Sequence, residues 1–225
     1  MIEQFEKIID YYFKDKQLLK RALTHPSLYK ANNSSLDYEI FEFLGDSVLN
    51  LIITEYLIST YKSEEEGELA KRRASLICGA TLSSIAIDLN LGKYIAMAGG
   101  EETSGGRNNP NNLEDSLEAI IGAIYLDGGY EKAKFFVRKY WQKTLMHMTN
   151  VPSNPKTDLQ ELSQKHAKGI PEYKVISSSG PPHLPIFEVE VKIEGEKPAR
   201  GSGSSKKIAE TNAAKLLLER IKENG

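Results

Sequence analysis

The sequence is organised around Glu39-Ile-Phe-Glu-Phe-Leu-Gly-Asp-Ser-Val-Leu49, which predicts the start of a long apolar helix running to about residue 58. At about 100° per residue, four polar side chains fall on one narrow stripe of this helix. They are Glu39, Glu42, Asp46 and Asn50. A helix that is apolar nearly all round should be buried, and a buried carboxylate is costly unless something compensates it. For several converging carboxylates, the simplest compensation is a cation.

Composition is that of an ordinary globular protein. The chain has 225 residues, 40% hydrophobic and 27% charged, which suits one large domain or two modest ones. The net charge of −2 is unevenly distributed. Residues 156–225 contain 12 Lys+Arg and 10 Asp+Glu, so that part has a net charge of +2 and the remainder has −4. This asymmetry indicates different roles for the two parts and is, alone, weak support for nucleic-acid binding.

The cysteine content and the absence of long apolar segments indicate the cellular compartment. The lone cysteine, Cys78, excludes an internal disulfide framework and fits a reducing compartment, so we expect a cytoplasmic protein. The first residues lack the basic start and apolar run of a signal peptide. No apolar segment reaches the roughly 18–20 residues of a membrane span, so we expect no membrane partner.

The pattern along the chain predicts two domains: an all-α domain over residues 1–147 and an α+β domain over 156–225, with a linker at 148–155. The first contains helices at about 2–15, 68–80, 81–89, 113–126 and 131–145 besides the organising helix. Residues 98–112 are rich in Gly and Asn and predict a mobile loop. The basic run Lys71-Arg72-Arg73 predicts a solvated helix face.

The second domain has the predicted order α-β-β-β-α. Its helices cover about 156–167 and 204–222, and its strands begin at Tyr173, Phe187 and about Ala199. Strict alternation over Phe187–Ile193 places the apolar side chains on one face of the sheet. Both helices are expected to cover that face.

A second acidic helix carries Asp115 and Glu118 on one stripe with Gly122. Gly45 lies beside the acidic stripe of the organising helix. A glycine on each helix would let the two helices pack closely with their acids converging. Alternatively, Glu114 and Asp115 merely complement the helix N-terminus. That alternative explains Glu118 poorly, because it lies beyond the first turn among apolar neighbours.

Together, Glu42, Asp46, Asp115 and Glu118 could build a site made entirely of oxygen ligands. Neither segment contains histidine or cysteine, which argues against zinc and against di-iron bundles. Hard oxygen ligands with room for water suit Mg²⁺ or Mn²⁺. Such sites handle phosphate esters, so the expected reaction is metal-assisted hydrolysis of a phosphodiester.

The second domain indicates an RNA substrate. Its last helix follows Gly203-Ser-Ser-Lys-Lys207, where the helix N-terminus and two lysines form an anion site. His183 lies in a protruding loop, and Gln160 and Glu161 could meet ribose 2′-hydroxyls. Singly, the lysines could be a solvated helix start and His183 an ordinary loop residue. In combination, these regions match shape-based recognition of A-form RNA.

The acidic motif Glu39-x-x-Glu-Phe-Leu-Gly-Asp-Ser-Val-Leu49 resembles the signature of the ribonuclease III family. Three further blocks match that family in the same order: Thr24-His-Pro-Ser27, Glu66-Gly67 and Asp115-x-x-Glu118-Ala-x-Ile-Gly-Ala-Ile-Tyr-Leu-Asp-Gly-Gly129. The tail resembles a double-stranded-RNA-binding domain, most strongly over Gly-Ser-Ser-Lys-Lys-x-Ala-Glu-x-x-Ala-Ala214. Together the matches cover nearly the whole chain in the bacterial two-domain arrangement.

The resemblance implies a homodimeric endoribonuclease that cleaves double-stranded RNA and processes ribosomal RNA precursors and other structured RNAs. Each subunit would cut one strand and leave 5′-phosphate and 3′-hydroxyl ends with a short 3′ overhang. Carried over to this sequence, Glu42, Asp115 and Glu118 would bind Mg²⁺, for which Mn²⁺ substitutes, and Asp46 and Glu118 would form the catalytic pair. Glu39 and Glu66 would be accessory acids. The RNA contacts would be Gln160, Glu161, His183, Ser205, Lys206 and Lys207.

This sequence departs from the family pattern at one point. Tyr38-Glu39-Ile40-Phe41 stands where the family usually has Asn-Glu-Arg-Leu. The absent arginine bears on dimer or RNA contacts, whereas all six acids of the expected site are present. A non-catalytic RNA-binding scaffold with a degenerate nuclease fold is the alternative, and the intact acids argue against it.

Overall fold

A computed structural model describes residues 2–29, 36–181 and 184–224 of the chain. The chain divides into two compact units, Met1–Pro152 and Ser153–Gly225, and the division falls inside the segment predicted as a linker. Each unit is described by itself. In the described part of the chain, no helix has the length and apolar content needed to cross a membrane.

The first unit is helical, as predicted. Its helices are α1 (Ile2–Ile9), α2 (Lys16–Ala22), α3 (Leu36–Thr60), α4 (Glu66–Leu76), α5 (Gly79–Asp88), α6 (Gly99–Thr103), α7 (Pro110–Gly128) and α8 (Tyr130–His147). Short 3-10 turns lie at Pro26–Leu28, Leu91–Lys93 and Gly106–Asn108. The core is centred on α3 and α7, whose side chains such as Leu49, Ile53, Leu117 and Ile121 are at most 1% exposed.

The first helix is shorter than the predicted range of 2–15. It ends at Ile9 because Asp10 adopts a left-handed conformation with φ 52°. The chain that follows is held by the carboxylate of Asp127, which accepts hydrogen bonds from the Tyr11 hydroxyl at 2.7 Å and from the backbone N–H groups of Lys14 and Asp15 at 3.0 and 2.9 Å. A contact more than a hundred residues away in sequence therefore overrides the local helical pattern.

The prediction of a mobile loop at 98–112 was wrong, since this segment contains α6, a 3-10 turn and the start of α7. The guanidinium of Arg107 holds it by donating to the backbone carbonyls of Gly92 at 2.8 Å and Ile95 at 2.9 Å. Asn109 then caps α7 by accepting the N–H of Asn111 at 3.0 Å, and Pro110 occupies the first turn.

The run Lys71-Arg72-Arg73 was predicted to form a solvated helix face. This prediction was wrong for Arg72, which is 2% exposed. Its guanidinium donates to both carboxylate oxygens of Glu64, at 2.7 and 2.6 Å, and to the backbone carbonyl of Met148 at 3.1 Å. It also lies over the ring of Tyr61 at 3.8 Å. The buried guanidinium is compensated by this paired, hydrogen-bonded setting, which ties α4 to the chain after α8.

The second unit has the predicted α-β-β-β-α order. It contains α9 (Pro155–Lys165), β1 (Glu172–Ser179), β2 (Ile186–Lys192), β3 (Ala199–Gly203) and α10 (Lys206–Asn224). The strands form an antiparallel sheet in the order β1-β2-β3, with Tyr173 opposite Val191 and Val191 opposite Ala199. Leu159 of α9, Val191 and Leu217 of α10 are fully buried in one cluster. Both helices therefore cover the same face of the sheet.

Candidate functional site

The site is built on a contact between the backbones of α3 and α7. A Cβ atom added to Gly45 would lie 1.8 Å from the backbone carbonyl oxygen of Glu118, and one added to Gly122 would lie 2.2 Å from that of Phe41. Neither position has room for any side chain. The close approach predicted from the two glycines is confirmed, and it brings the acidic stripes of both helices to the same place.

The carboxylates at this contact affect one another strongly. Burial, followed by the negative charges of Asp46 and Glu114, raises the pKa of Glu118 to about 8. Burial and the charge of Asp115 raise the pKa of Glu42 above its usual range. Burial likewise raises the pKa of Asp115, and the nearby His25 opposes that change. The four predicted acids therefore share one electrostatic environment.

No lysine or arginine in the described part of the chain forms an ion pair with Glu42, Asp46, Asp115 or Glu118. Asp46 is instead held by a neutral group, the side-chain amide of Asn50, which donates to its Oδ1 at 2.8 Å. Carboxylates placed close together without a basic partner carry an uncompensated negative charge. Such an arrangement favours a bound cation.

The donor chemistry fits a hard divalent cation, because the converging side chains offer oxygen atoms. As the side chains are placed, however, no group of three or more His, Cys, Asp or Glu among the described residues is arranged to hold a metal ion. The carboxylates thus share a neighbourhood and an electrostatic field without closing into a ligand cage. Burial raises the pKa values of Glu42, Asp115 and Glu118, and neighbouring carboxylates raise those of Glu42 and Glu118 further, which makes these three residues candidate ligands.

The structure adds residues that the sequence did not single out. Glu114 joins the acidic group: burial and the charge of Asp115 raise its pKa, and its Oε2 would lie 2.3 Å from a Cβ added to Gly79. The sequence left open whether Glu114 only complements the helix N-terminus, and its position four residues before Glu118 could have placed it on the acidic stripe. Tyr38 and Ser116 also lie here, joined by a hydrogen bond of 2.9 Å.

The accessory acids differ in where they lie. Glu39 belongs to the acidic group, since its charge raises the pKa of Glu42. Glu66 lies in the first turn of α4, in a pocket lined also by Ile58 and Arg73. Its charge is not among the main causes that raise the pKa values of Glu42, Asp115 and Glu118.

The predicted RNA contacts lie on the second unit. Lys206 and Lys207 are exposed in the first turn of α10, where Ser205 accepts the N–H of Ile208 with its hydroxyl at 3.3 Å. Gln160 and Glu161 are exposed on α9. His183 lies outside the described residues. The helix start therefore presents N–H groups and two ammonium groups to solvent, which suits a phosphate.

Comparison with known proteins matches both units to family models. Residues 15–145 match the model described as Ribonuclease-III-like, and residues 155–221 match the double-stranded RNA binding motif. The chain is 48% identical over 223 residues to Ribonuclease 3 of Ehrlichia canis (strain Jake), covering 99% of each chain. It is 47% identical over 221 residues to Ribonuclease 3 of Wolbachia pipientis wMel, covering 97% of this chain and 95% of that one.

A solved structure agrees with these matches. The nuclease domain of ribonuclease III from Campylobacter jejuni is 45% identical to this chain with a TM-score of 0.60, and the match covers 64% of this chain and 97% of that one.

A helical nuclease unit followed by a double-stranded-RNA-binding unit defines the class of this protein as an RNA-binding nuclease. The chain belongs to the ribonuclease III family. It is accordingly an endoribonuclease that acts on double-stranded RNA, in a family that generally depends on a metal ion.

Proposed function

We propose that this endoribonuclease hydrolyses the phosphodiesters of double-stranded RNA with Mg²⁺ as its cofactor. Glu42, Asp115 and Glu118 would hold the ion, and Asp46 and Glu118 would act as the catalytic pair. The proposal is carried by the group of carboxylates at the α3–α7 contact, which repel one another and have no lysine or arginine partner in the described part of the chain. Mn²⁺ offers similar ligand preferences and should substitute.

When bound, Mg²⁺ lowers the pKa of water and neutralises the phosphate oxygens. The protein's own residues orient the reactants and move protons. Without a bound cation, burial and the neighbouring carboxylates raise the pKa of Glu118 to about 8, and a bound divalent ion would oppose that rise. Asp46, oriented by the Asn50 amide, would hold the attacking water. The water oxygen would bond to phosphorus as this water loses a proton. The bond to the 3′ oxygen would break as that oxygen takes up a proton, which leaves a 5′-phosphate and a 3′-hydroxyl.

RNA recognition is assigned to the second unit. Lys206 and Lys207, with the N–H groups at the start of α10, would contact phosphates across the major groove. Gln160 and Glu161 on α9, and His183, which follows β1 in the sequence, would contact the minor groove on either side. Such contacts select A-form duplexes by shape, which suits processing of ribosomal RNA precursors and other structured RNAs in the cytoplasm.

Assembly as a homodimer is supported by an apolar stripe on α3. Ile40, Phe43, Leu51 and Ile58 are 54%, 78%, 58% and 58% exposed. They share one face of the helix, and such patches mark protein contacts. The Campylobacter jejuni nuclease domain is described with structural flexibility in a region involved in dimer formation. Two subunits, each cutting one strand, would then produce the staggered ends.

The test is Glu118→Gln, which removes the charge while keeping the shape. We expect Mg²⁺-dependent cleavage of duplex RNA to fall by at least about 100-fold, as for loss of a catalytic acid–base group, while RNA binding is retained. Glu131→Gln, a change of an exposed acid on α8, is the matched control and should cleave normally. Full activity in Glu118→Gln would overturn the assignment of the site.

A further inference from the structure

A buried pair of hydroxyl groups joins the two acid-bearing helices. Tyr38 of α3 is 2% exposed and Ser116 of α7 is fully buried, and a hydrogen bond of 2.9 Å connects their side-chain oxygens across 78 residues of sequence. Tyr38 lies one helical turn before Glu42, and Ser116 follows Asp115 directly. The bond therefore spans the two helices at the level of the carboxylates.

This bond complements the glycine contact. Gly45 and Gly122 fix how closely α3 and α7 approach, through contacts with the backbones of Glu118 and Phe41. The hydroxyl pair adds a contact about one turn nearer the start of α3 that, unlike apolar packing, depends on direction. A buried hydroxyl without a partner is costly, so each member of the pair holds the other in place.

The ring of Tyr38 also packs against the segment that contains His25. The ring of His25 lies 6.3 Å from that of Tyr38 at an interplanar angle of 66°. Nδ1 of His25 accepts the N–H of Ser27 at 3.1 Å, and the Ser27 hydroxyl accepts the N–H of Ala98 at 3.0 Å. Tyr38 thus packs against a hydrogen-bonded segment, which favours one orientation of its hydroxyl.

The carboxylates of the candidate site affect the pKa of the Tyr38 hydroxyl. Burial, opposed by the hydrogen bond to Ser116, raises the pKa of Tyr38, and the carboxylates of Asp115, Glu42 and Glu118 raise it further. Tyr38 therefore stays neutral beside three acids. It can support their arrangement without forming an ion pair that would compete with a cation.

We propose that Tyr38 and Ser116 are positioning residues for the metal-binding acids, because their hydrogen bond fixes the rotation of α3 against α7 and so directs Glu42 toward Asp115 and Glu118. The inference rests on the function proposed above.

The test is Tyr38→Phe, which removes one oxygen and keeps the ring. Protein without RNA is titrated with Mg²⁺ while its thermal unfolding is followed. The half-saturating Mg²⁺ concentration should rise by about tenfold, the lower end of the effect of residues that orient metal ligands. Ser116→Ala should give a similar rise. The double variant should be no worse than either single one, because both changes break the same bond.

The matched control is Tyr140→Phe, which loses a hydrogen bond of 2.8 Å to the Ile8 carbonyl elsewhere in the same unit. It should lower the unfolding temperature without changing the Mg²⁺ midpoint. The same result for Tyr38→Phe and Ser116→Ala would show a merely structural role and overturn the inference. If Tyr38→Phe does not fold, the Mg²⁺ midpoint of Ser116→Ala decides.

An error in the proposed function would give a different experimental result from an error in the positioning role. A wild-type protein that shows neither stabilisation by Mg²⁺ nor Mg²⁺-dependent cleavage would overturn the proposed metal site itself. Wild-type protein that shows both, with variants whose Mg²⁺ midpoints are unchanged, would overturn only the positioning role.

Discussion

At the residue scale, Glu118 is a side chain whose ionisation is strongly changed by its surroundings. It lies on α7 among apolar neighbours and beside Asp46, Glu114, Glu42 and Asp115, which together with burial raise its pKa to about 8. An acid in this situation prefers its protonated form unless a cation is bound. Its titration is therefore a direct measure of whether the site takes a metal.

This leads to a prediction of pH-dependent stability in EDTA. The folded protein holds the Glu118 proton more tightly than the unfolded chain, so the stabilisation is complete below the unfolded pKa of about 4.5 and is lost as the pH rises toward about 8. We expect a loss of roughly 1–2 kcal/mol, since solvent screening reduces the full effect. Thermal unfolding from pH 5 to pH 8.5 measures it.

Glu118→Gln, which cannot ionise, should flatten that profile. Mg²⁺ should raise the unfolding temperature of the wild type more at pH 8 than at pH 5, because the ion binds the ionised acid. Identical profiles for wild type and Glu118→Gln would contradict the prediction.

At the element scale, the correct predictions of helices came from local sequence patterns. The acidic stripe and its adjacent glycine identified α3, and the spacing of Asp115, Glu118 and Gly122 identified its partner α7. The predictions that failed depended on contacts between segments: Asp127 holds the chain after α1, Arg107 orders the segment before α7, and Met148 accepts a hydrogen bond from the buried guanidinium of Arg72. The hydrogen bond between Tyr38 and Ser116 likewise joins residues that no sequence period relates.

The α3–α7 contact gives a prediction at this scale. Gly45→Ala would place a methyl group 1.8 Å from a backbone oxygen and force the helices apart. We expect destabilisation by at least about 1–3 kcal/mol, as for overpacked cores, together with loss of cleavage. Denaturant unfolding and a cleavage assay measure the two effects.

Gly67→Ala is the matched control, because a Cβ added at that position in α4 meets nothing within 4 Å. It should leave activity unchanged and stabilise the protein slightly, since alanine has the higher helix propensity. Equal effects of the two substitutions would show that the close approach of α3 and α7 is not needed.

At the scale of the whole molecule, the proposed function takes its acids from the nuclease unit and its cations for RNA from the second unit. Lys206→Ala/Lys207→Ala should weaken binding to duplexes of every sequence and lower the slope of log K against log salt by about 1–2, one phosphate contact for each lysine. Binding titrations at several salt concentrations measure this. Lys222→Ala, at the other end of α10, is the control, and an unchanged slope in the double variant would remove the two lysines from the phosphate contacts.

The proposed dimer gives a second prediction at this scale. Phe43→Ser should shift the protein toward monomer in sedimentation experiments, because Phe43 is 78% exposed in the apolar stripe of α3. Phe135→Ser, a similar change of an exposed aromatic on α8, should leave the oligomeric state unchanged. A wild type that sediments as a monomer would contradict the proposed assembly.

The contact at Gly45 and Gly122 is made by main-chain atoms, which have no alternative rotamers to adopt as temperature rises. Loosening of apolar side chains elsewhere in the core would not by itself change the separation of the acid-bearing helices, as long as the hydrogen bond between Tyr38 and Ser116 holds. On heating, cleavage should consequently persist until the nuclease unit itself melts, and then stop within the same narrow interval.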